Sequence, residues 1–135
     1  MRVVVTGGRA YADFAKVYEV LDGLAPEAIA HGDADGADAL AGQWAHERDI
    51  PDRTYYANWK TYGRKAGPLR NQSMLDDFRP DCVVAFAGGR GTANCVKEAR
   101  KRNITVVEVP ERIESGGSCA RRDGGAGVLR FRDLR

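Results

Sequence analysis

Glycine gathers at three points in this chain of 135 residues: Thr6-Gly7-Gly8-Arg9, His31-Gly32 with Gly36 shortly after it, and Gly88-Gly89-Arg90-Gly91-Thr92. Each cluster follows a short apolar run. Glycine in a strand-to-helix turn lets backbone N–H groups approach an anion closely, and the helix that follows adds partial positive charge. The chemistry these turns suit is the holding of a phosphate. Thr92 stands where a helix is expected to begin, so it can cap that helix or donate its hydroxyl to the same phosphate. Arg9 follows the first turn, and its planar guanidinium suits a two-point grip on phosphate oxygens. Arg90 stands inside the third turn and is counted with it.

Spacing separates the kinds of phosphate site. No GxxxxGK[ST] occurs, which excludes a P-loop nucleotidase. Neither the first nor the third turn completes GxGxxG, since Asn94 stands at the final glycine position of the latter. The second strand ends in His31 rather than in the acid that reads the ribose of NAD, so an ordinary dinucleotide oxidoreductase is disfavoured.

Other residues could add to such a site. Asp33, Asp35 and Asp38 surround the second turn but lack the longer ligand ladder of an EF-hand. Asp38 is expected to brace that turn or to bond ligand hydroxyls, and Asp35 and Gly36 are counted with it. A magnesium ion bridging these carboxylates and a phosphate is one option; no resident metal is assigned. Arg70-Asn71 opens a helix and is a candidate for binding phosphate. The rings of Tyr11, Trp59 and Tyr62 could stack on a nucleobase, although packing at the core edge or in a lid is the plainer role for Trp59. His31, at a strand end, reads as structural and His46 as exposed. The cysteines Cys82, Cys95 and Cys119 form no CxxC pair, and two histidines are too few for a convincing zinc site. They read as free thiols in a reducing cytoplasm, with Cys82 buried in a strand. Cys95 has no identifiable base to make it a nucleophile.

The elements that must position these residues follow from hydrophobic patterning. Strands are expected over 3–5, 28–31, 54–57, 82–86 and 104–109, and helices over 14–24, 37–47, 68–78 and 92–102, with 58–65 a loop or broken helical turn. The helix at 14–24 places Phe14, Val17, Val20, Leu21 and Leu24 on one face before Pro26, and Pro68 suits a helix start. Alternation of strand and helix predicts an α/β, Rossmann-like three-layer domain with a mainly parallel sheet of about five strands. That domain is expected over 1–110. A Gly/Arg-rich tail is expected over 111–135, with an edge strand at 128–132. The length suits one core burying roughly two-thirds of the unfolded surface.

The blocks Val5-Thr6-Gly7-Gly8-Arg9, His31-Gly32-x-Ala34-x-Gly36-Ala37-Asp38, Ala66-Gly67-Pro68-x-Arg70-Asn71 and Val84-Ala85-Phe86-x-Gly88-Gly89-x-Gly91-Thr92-Ala93 resemble the YspA-type, YpsA-related branch of the SLOG superfamily. The resemblance runs over about residues 1 to 110, in the family's order. It implies nucleotide-ligand binding at the glycine turns, as a sensor or sequestering domain, and implies no specific reaction for this branch. Members of the LOG type cleave nucleotides and carry proline before GGxGT and glutamate three residues after its threonine. Here those positions are Ala87 and Cys95. A phosphoribohydrolase-like hydrolase, cleaving an N-glycosidic or phosphoester bond, therefore needs another acid or base. Glu98, one turn beyond Cys95, and Asp38 are the candidates, with Arg70 beside the phosphate. A DprA-like nucleic-acid binder is the third reading, carried by the tail arginines. The formal net charge of +2 is too small to announce nucleic acid. No signal peptide or apolar span is visible, so a cytoplasmic protein without a membrane partner is expected, with a homo-oligomer open to it.

Overall fold

The computed structural model describes residues 1–110. The expected tail, with Cys119 and the edge strand at 128–132, lies outside the described residues. Five strands alternate with helices: β1 Arg2–Thr6, α1 Phe14–Leu24, β2 Ala28–Gly32, α2 Ala37–Arg48, β3 Asp52–Tyr55, α3 Trp59–Tyr62, α4 Ala66–Phe78, β4 Cys82–Ala85, α5 Arg90–Lys101 and β5 Thr105–Glu108. A 3₁₀ turn at Gly63–Lys65 joins α3 to α4. Every strand pairing is parallel, and the sheet runs β3-β2-β1-β4-β5. The expected Rossmann-like α/β fold is the fold observed.

Side chains on a strand alternate between faces, and the two cores follow that rule. Val3, Val5, Cys82, Val84 and Val107 face α1 and α2, where they meet Val17, Val20, Leu21, Ala41 and Trp44. Val4, Val83 and Val106 face the other way, onto Met74, Leu75 and Phe78 of α4 and Cys95 and Ala99 of α5. Both faces of the central strands are thereby buried, which is why they read as unbroken apolar runs. The alanines at 37, 41 and 45 are all buried, so α2 lies close against the sheet.

Three elements start two residues earlier than the sequence expectation, and β3 also ends at Tyr55 rather than at 57. β3 begins at Asp52 because its ladder pairs Asp52 with Ile29, and an edge strand tolerates exposed polar residues. α5 begins at Arg90, so Thr92 sits inside its first turn and Gly89 takes the cap position. α4 starts at Ala66 because the 3₁₀ turn feeds into it, which leaves Pro68 within the first turn, where its missing N–H costs nothing.

Candidate functional site

The strand order turns back on itself between β1 and β4, and in open parallel sheets the ligand crevice lies beyond the carboxyl ends at such a switch. Here that edge is bordered by the β1–α1 and β4–α5 turns. Gly8 locks the turns together. Its N–H donates to the Ala87 carbonyl (2.9 Å), and its own carbonyl accepts from Tyr11 N and Ala37 N, both at 3.2 Å. Gly36, with φ +73, packs so closely that a Cβ there would lie 2.6 Å from Arg9 C and O. A Cβ on Gly88 would lie 2.6 Å from Gly8 N and 3.0 Å from Gly7 C, besides striking Thr92 Oγ1. These glycines serve the mutual approach of the loops.

Gly89 and Gly91 are different. A Cβ at either would meet nothing within 4 Å. The α5 N-terminus above them has no side-chain cap, and the N–H groups of Arg90, Gly91 and Thr92 find no acceptor among the described residues. The starts of α1 and α2 each have one acceptor that α5 lacks. Asp13 accepts from Lys16 N at the start of α1, and the Gly8 carbonyl takes the first N–H of α2. An uncapped N-terminus has orphan donors and a partial positive charge, which together attract an anion. Arg9 and Arg90 are exposed nearby and make no ion pair among the described residues. Thr92 makes no cap bond; its hydroxyl lies over Gly88.

A second group gathers at the end of β2. Arg70 lies in the space a side chain on Gly32 would fill. Its Nη1 donates to Asp33 Oδ1 (3.2 Å) and to the Tyr55 carbonyl (3.3 Å), and its Nε donates to Asn71 Oδ1 (3.0 Å). Asn71 in turn donates to Asn94 Oδ1 (3.0 Å) and the Gly91 carbonyl (3.3 Å), so it links this group to the α5 N-terminus. Asp38 is buried beside Gly32 and accepts from Ala34 N at 3.4 Å. Burial pushes its carboxyl up to about 6, although the charges of His31 and Arg70 and the Ala34 bond pull the other way. Asp35 is exposed.

His31 is buried, as expected of a structural histidine. Its Nδ1 donates to the Gly32 carbonyl at 2.7 Å, and Nε2 lies 2.5 Å from Asp52 Oδ1 without an aligned hydrogen bond. The His31–Asp52 pair was invisible in the sequence, because only the β2–β3 register brings Asp52 alongside. Tyr11 is half-buried with its ring 5.2 Å from that of Phe86. A cleft of about 470 Å³ opens next to it, lined by Arg9, Tyr11, Phe14, Gly36, Leu40 and Gln43 among others.

Of the candidates for catalysis, Asp38 and Arg70 meet at Gly32, whereas Glu98 is engaged elsewhere. Glu98 accepts from Arg102 Nη1 at 2.7 Å and lies 3.5 Å from Lys101 Nζ, while Arg102 also grips Asp76 on α4. The Arg102 hydrogen bond holds the Glu98 carboxyl below its ordinary value. Its carboxylate is thus occupied in joining α5 to α4. Cys95 is fully buried, and that burial pushes its thiol up to about 12. No three His, Cys, Asp or Glu side chains among the described residues converge as metal ligands, and no described helix is long and apolar enough to cross a membrane.

Residues 1–62 match the YspA, cpYpsA-related SLOG family. The chain is 36% identical to the Gene 61 protein of Mycobacterium phage D29, over 78% of this chain and 94% of that protein. Among solved structures it is similar to DNA processing protein A (DprA) from Streptococcus pneumoniae, with a TM-score of 0.72 and 20% identity, over 98% of this chain and 60% of that one. It is also similar to UDP-GlcNAc 2-epimerase from Neisseria meningitidis bound to UDP-GlcNAc, with a TM-score of 0.55 and 16% identity, over 94% of this chain and 37% of that one. The chain thus spans less than two-thirds of either solved relative, and at these identities the likeness is one of fold.

Proposed function

The chain belongs to the YspA, cpYpsA-related SLOG family, and on that premise we propose that it binds a nucleotide or nucleotide-derived small ligand, as a cytoplasmic sensor or sequestering domain. The observation that carries this reading is the open α5 N-terminus, where the N–H groups of Arg90, Gly91 and Thr92 find no acceptor among the described residues, above two glycines that no packing demand explains. The ligand's phosphate rests there, with Arg9 and Arg90 as mobile counter-charges. Asn71 fixes the underside of the cradle through the Gly91 carbonyl, and Arg70 with Asp38 borders it at Gly32. The cleft beside Arg9 and Tyr11 takes the base or ribose. Binding is favoured over hydrolysis by Glu98, because Glu98 is consumed by Arg102 and Lys101 and Cys95 is a buried neutral thiol; a hydrolytic alternative would rest on Asp38 beside Arg70.

Calorimetry against AMP, ADP-ribose, cyclic ADP-ribose and NAD tests the proposal. Saturable binding of at least one is expected, and it should vanish in Gly91→Asp. That substitution puts a carboxylate where the phosphate would sit, in open space and at a helix start that favours negative charge. Flat titrations with all four at millimolar concentration would end this reading.

A further inference from the structure

Large hydrophobic side chains left in water are informative when they cluster. Tyr56, Trp59, Tyr62 and Leu69 are 74%, 47%, 52% and 39% exposed, and all lie within the short segment from the end of β3 to the first turns of α4. The same stretch has no acidic residue between Asp52 and Asp76. Of its cations, Arg53 pairs with Asp77 and Arg70 with Asp33. Lys60, Arg64 and Lys65 are exposed and make no ion pair among the described residues. The segment has a fixed seat, since α3 and the 3₁₀ turn pack on α4 and the Trp59 ring lies against Gly67, 3.2 Å from where a Cβ would stand.

We propose that residues 56–69 form a docking strip for single-stranded nucleic acid. Unpaired bases offer flat faces to Tyr56, Trp59 and Tyr62, while the intervening cations meet the phosphates; stacking rings among basic side chains are how such strands are held without sequence readout. Other occupants fit less well. A second copy brings the same positive charge to the contact. Residues 111–135 carry six arginines against four acidic residues, so they are not complementary to it either. A lipid surface calls for a long apolar helix face, and α3 has four residues. An acidic peptide would use the cations and leave the rings without a role. The strip uses none of the residues placed at the glycine turns and does not depend on the nucleotide reading.

The test measures binding of the full chain to a fluorescein-labelled oligothymidylate, and to a duplex, by anisotropy across a salt series. Tryptophan emission is followed alongside; Trp44, buried and bonded to Asp22, gives a constant background against which quenching of exposed Trp59 is read. The strand is expected to bind with quenching of Trp59, and the duplex about tenfold or more weakly, because its bases are already stacked. The double variant Tyr56→Ala/Tyr62→Ala should bind the strand about tenfold or more weakly. The triple variant Lys60→Ala/Arg64→Ala/Lys65→Ala should flatten the slope of log affinity against log salt by about 2. Each replaced side chain is exposed, and an unchanged melting curve verifies folding. Equal affinity for the duplex, an unaffected double variant, or binding to phosphatidylserine vesicles but not to the oligonucleotide would each overturn the proposal. Gly91→Asp should lose mononucleotide binding and keep the oligonucleotide; loss of both would place the strand at the glycine turns and overturn the strip.

Discussion

Two glycines in one turn, three residues apart, should respond oppositely to the same added methyl group. At Gly88 a Cβ would lie 2.6 Å from Gly8 N and 3.0 Å from Gly7 C, both backbone atoms, and would strike Thr92 Oγ1. The backbone can yield only by stretching the 2.9 Å Gly8 N to Ala87 O bond that joins the β1 and β4 turns. Overpacking of this kind costs about 1–3 kcal/mol. For a domain of this size that is a fall in Tm of about 4–12 °C. At Gly91 a Cβ meets nothing within 4 Å, and the residue is helical, so alanine should gain about 0.5 kcal/mol, below the interior-helix value because the first turn is only half constrained. Its methyl group would nevertheless hold a phosphate away from the α5 N–H groups. Loss of one hydrogen bond to a charged partner, about 1.5 kcal/mol, weakens affinity about tenfold. Thermal denaturation paired with nucleotide calorimetry separates the two: Gly88→Ala unstable, Gly91→Ala stable and poor at binding. Wild-type affinity in Gly91→Ala would refute the idea that its bareness serves the ligand, and an undisturbed Tm in Gly88→Ala would refute the interlock.

Asp38 gives a pH signature. Its folded value of about 6 exceeds the ordinary 3.8, so the native state binds the proton more tightly, and stability should fall as pH rises from about 4 to about 6 and then level off. Asp38→Asn should flatten that limb in urea titrations and gain up to about 2–3 kcal/mol at neutral pH; a steeper limb would contradict it. Glu98→Gln should lower Tm by loosening Arg102 from α5 while leaving nucleotide affinity unchanged, and a selective loss of ligand would return Glu98 to the site. In a Cys119→Ser background, Cys82 and Cys95 should react with Ellman's reagent only on unfolding, since burial raises both thiols, to about 11 and about 12. Fast labelling of the native protein would place one of them at an accessible surface.

The strand–helix alternation, the buried central strands and the glycine turns were legible in the sequence because each rests on local chemistry. A β-branched run buried on both faces reads the same way wherever it occurs, and a glycine after it marks a tight turn. What each glycine is for was not legible. Gly36 and Gly88 make room for Gly8 and Arg9, while Gly89 and Gly91 face open space, and only the approach of three distant turns distinguishes them. The reach of Glu98 depends likewise on Arg102 and on Asp76 of a neighbouring helix, and the His31–Asp52 contact on strand register. A net charge of +2 hid a local run in which three cations make no ion pair among the described residues, in the same segment as exposed rings. The sequence by itself determined the fold class and the positions of the glycine turns, since those follow from residue type and local spacing. The tertiary structure decided which turn stays open and which side chains are already taken, because packing and pairing are properties of neighbours that the chain brings together only when folded.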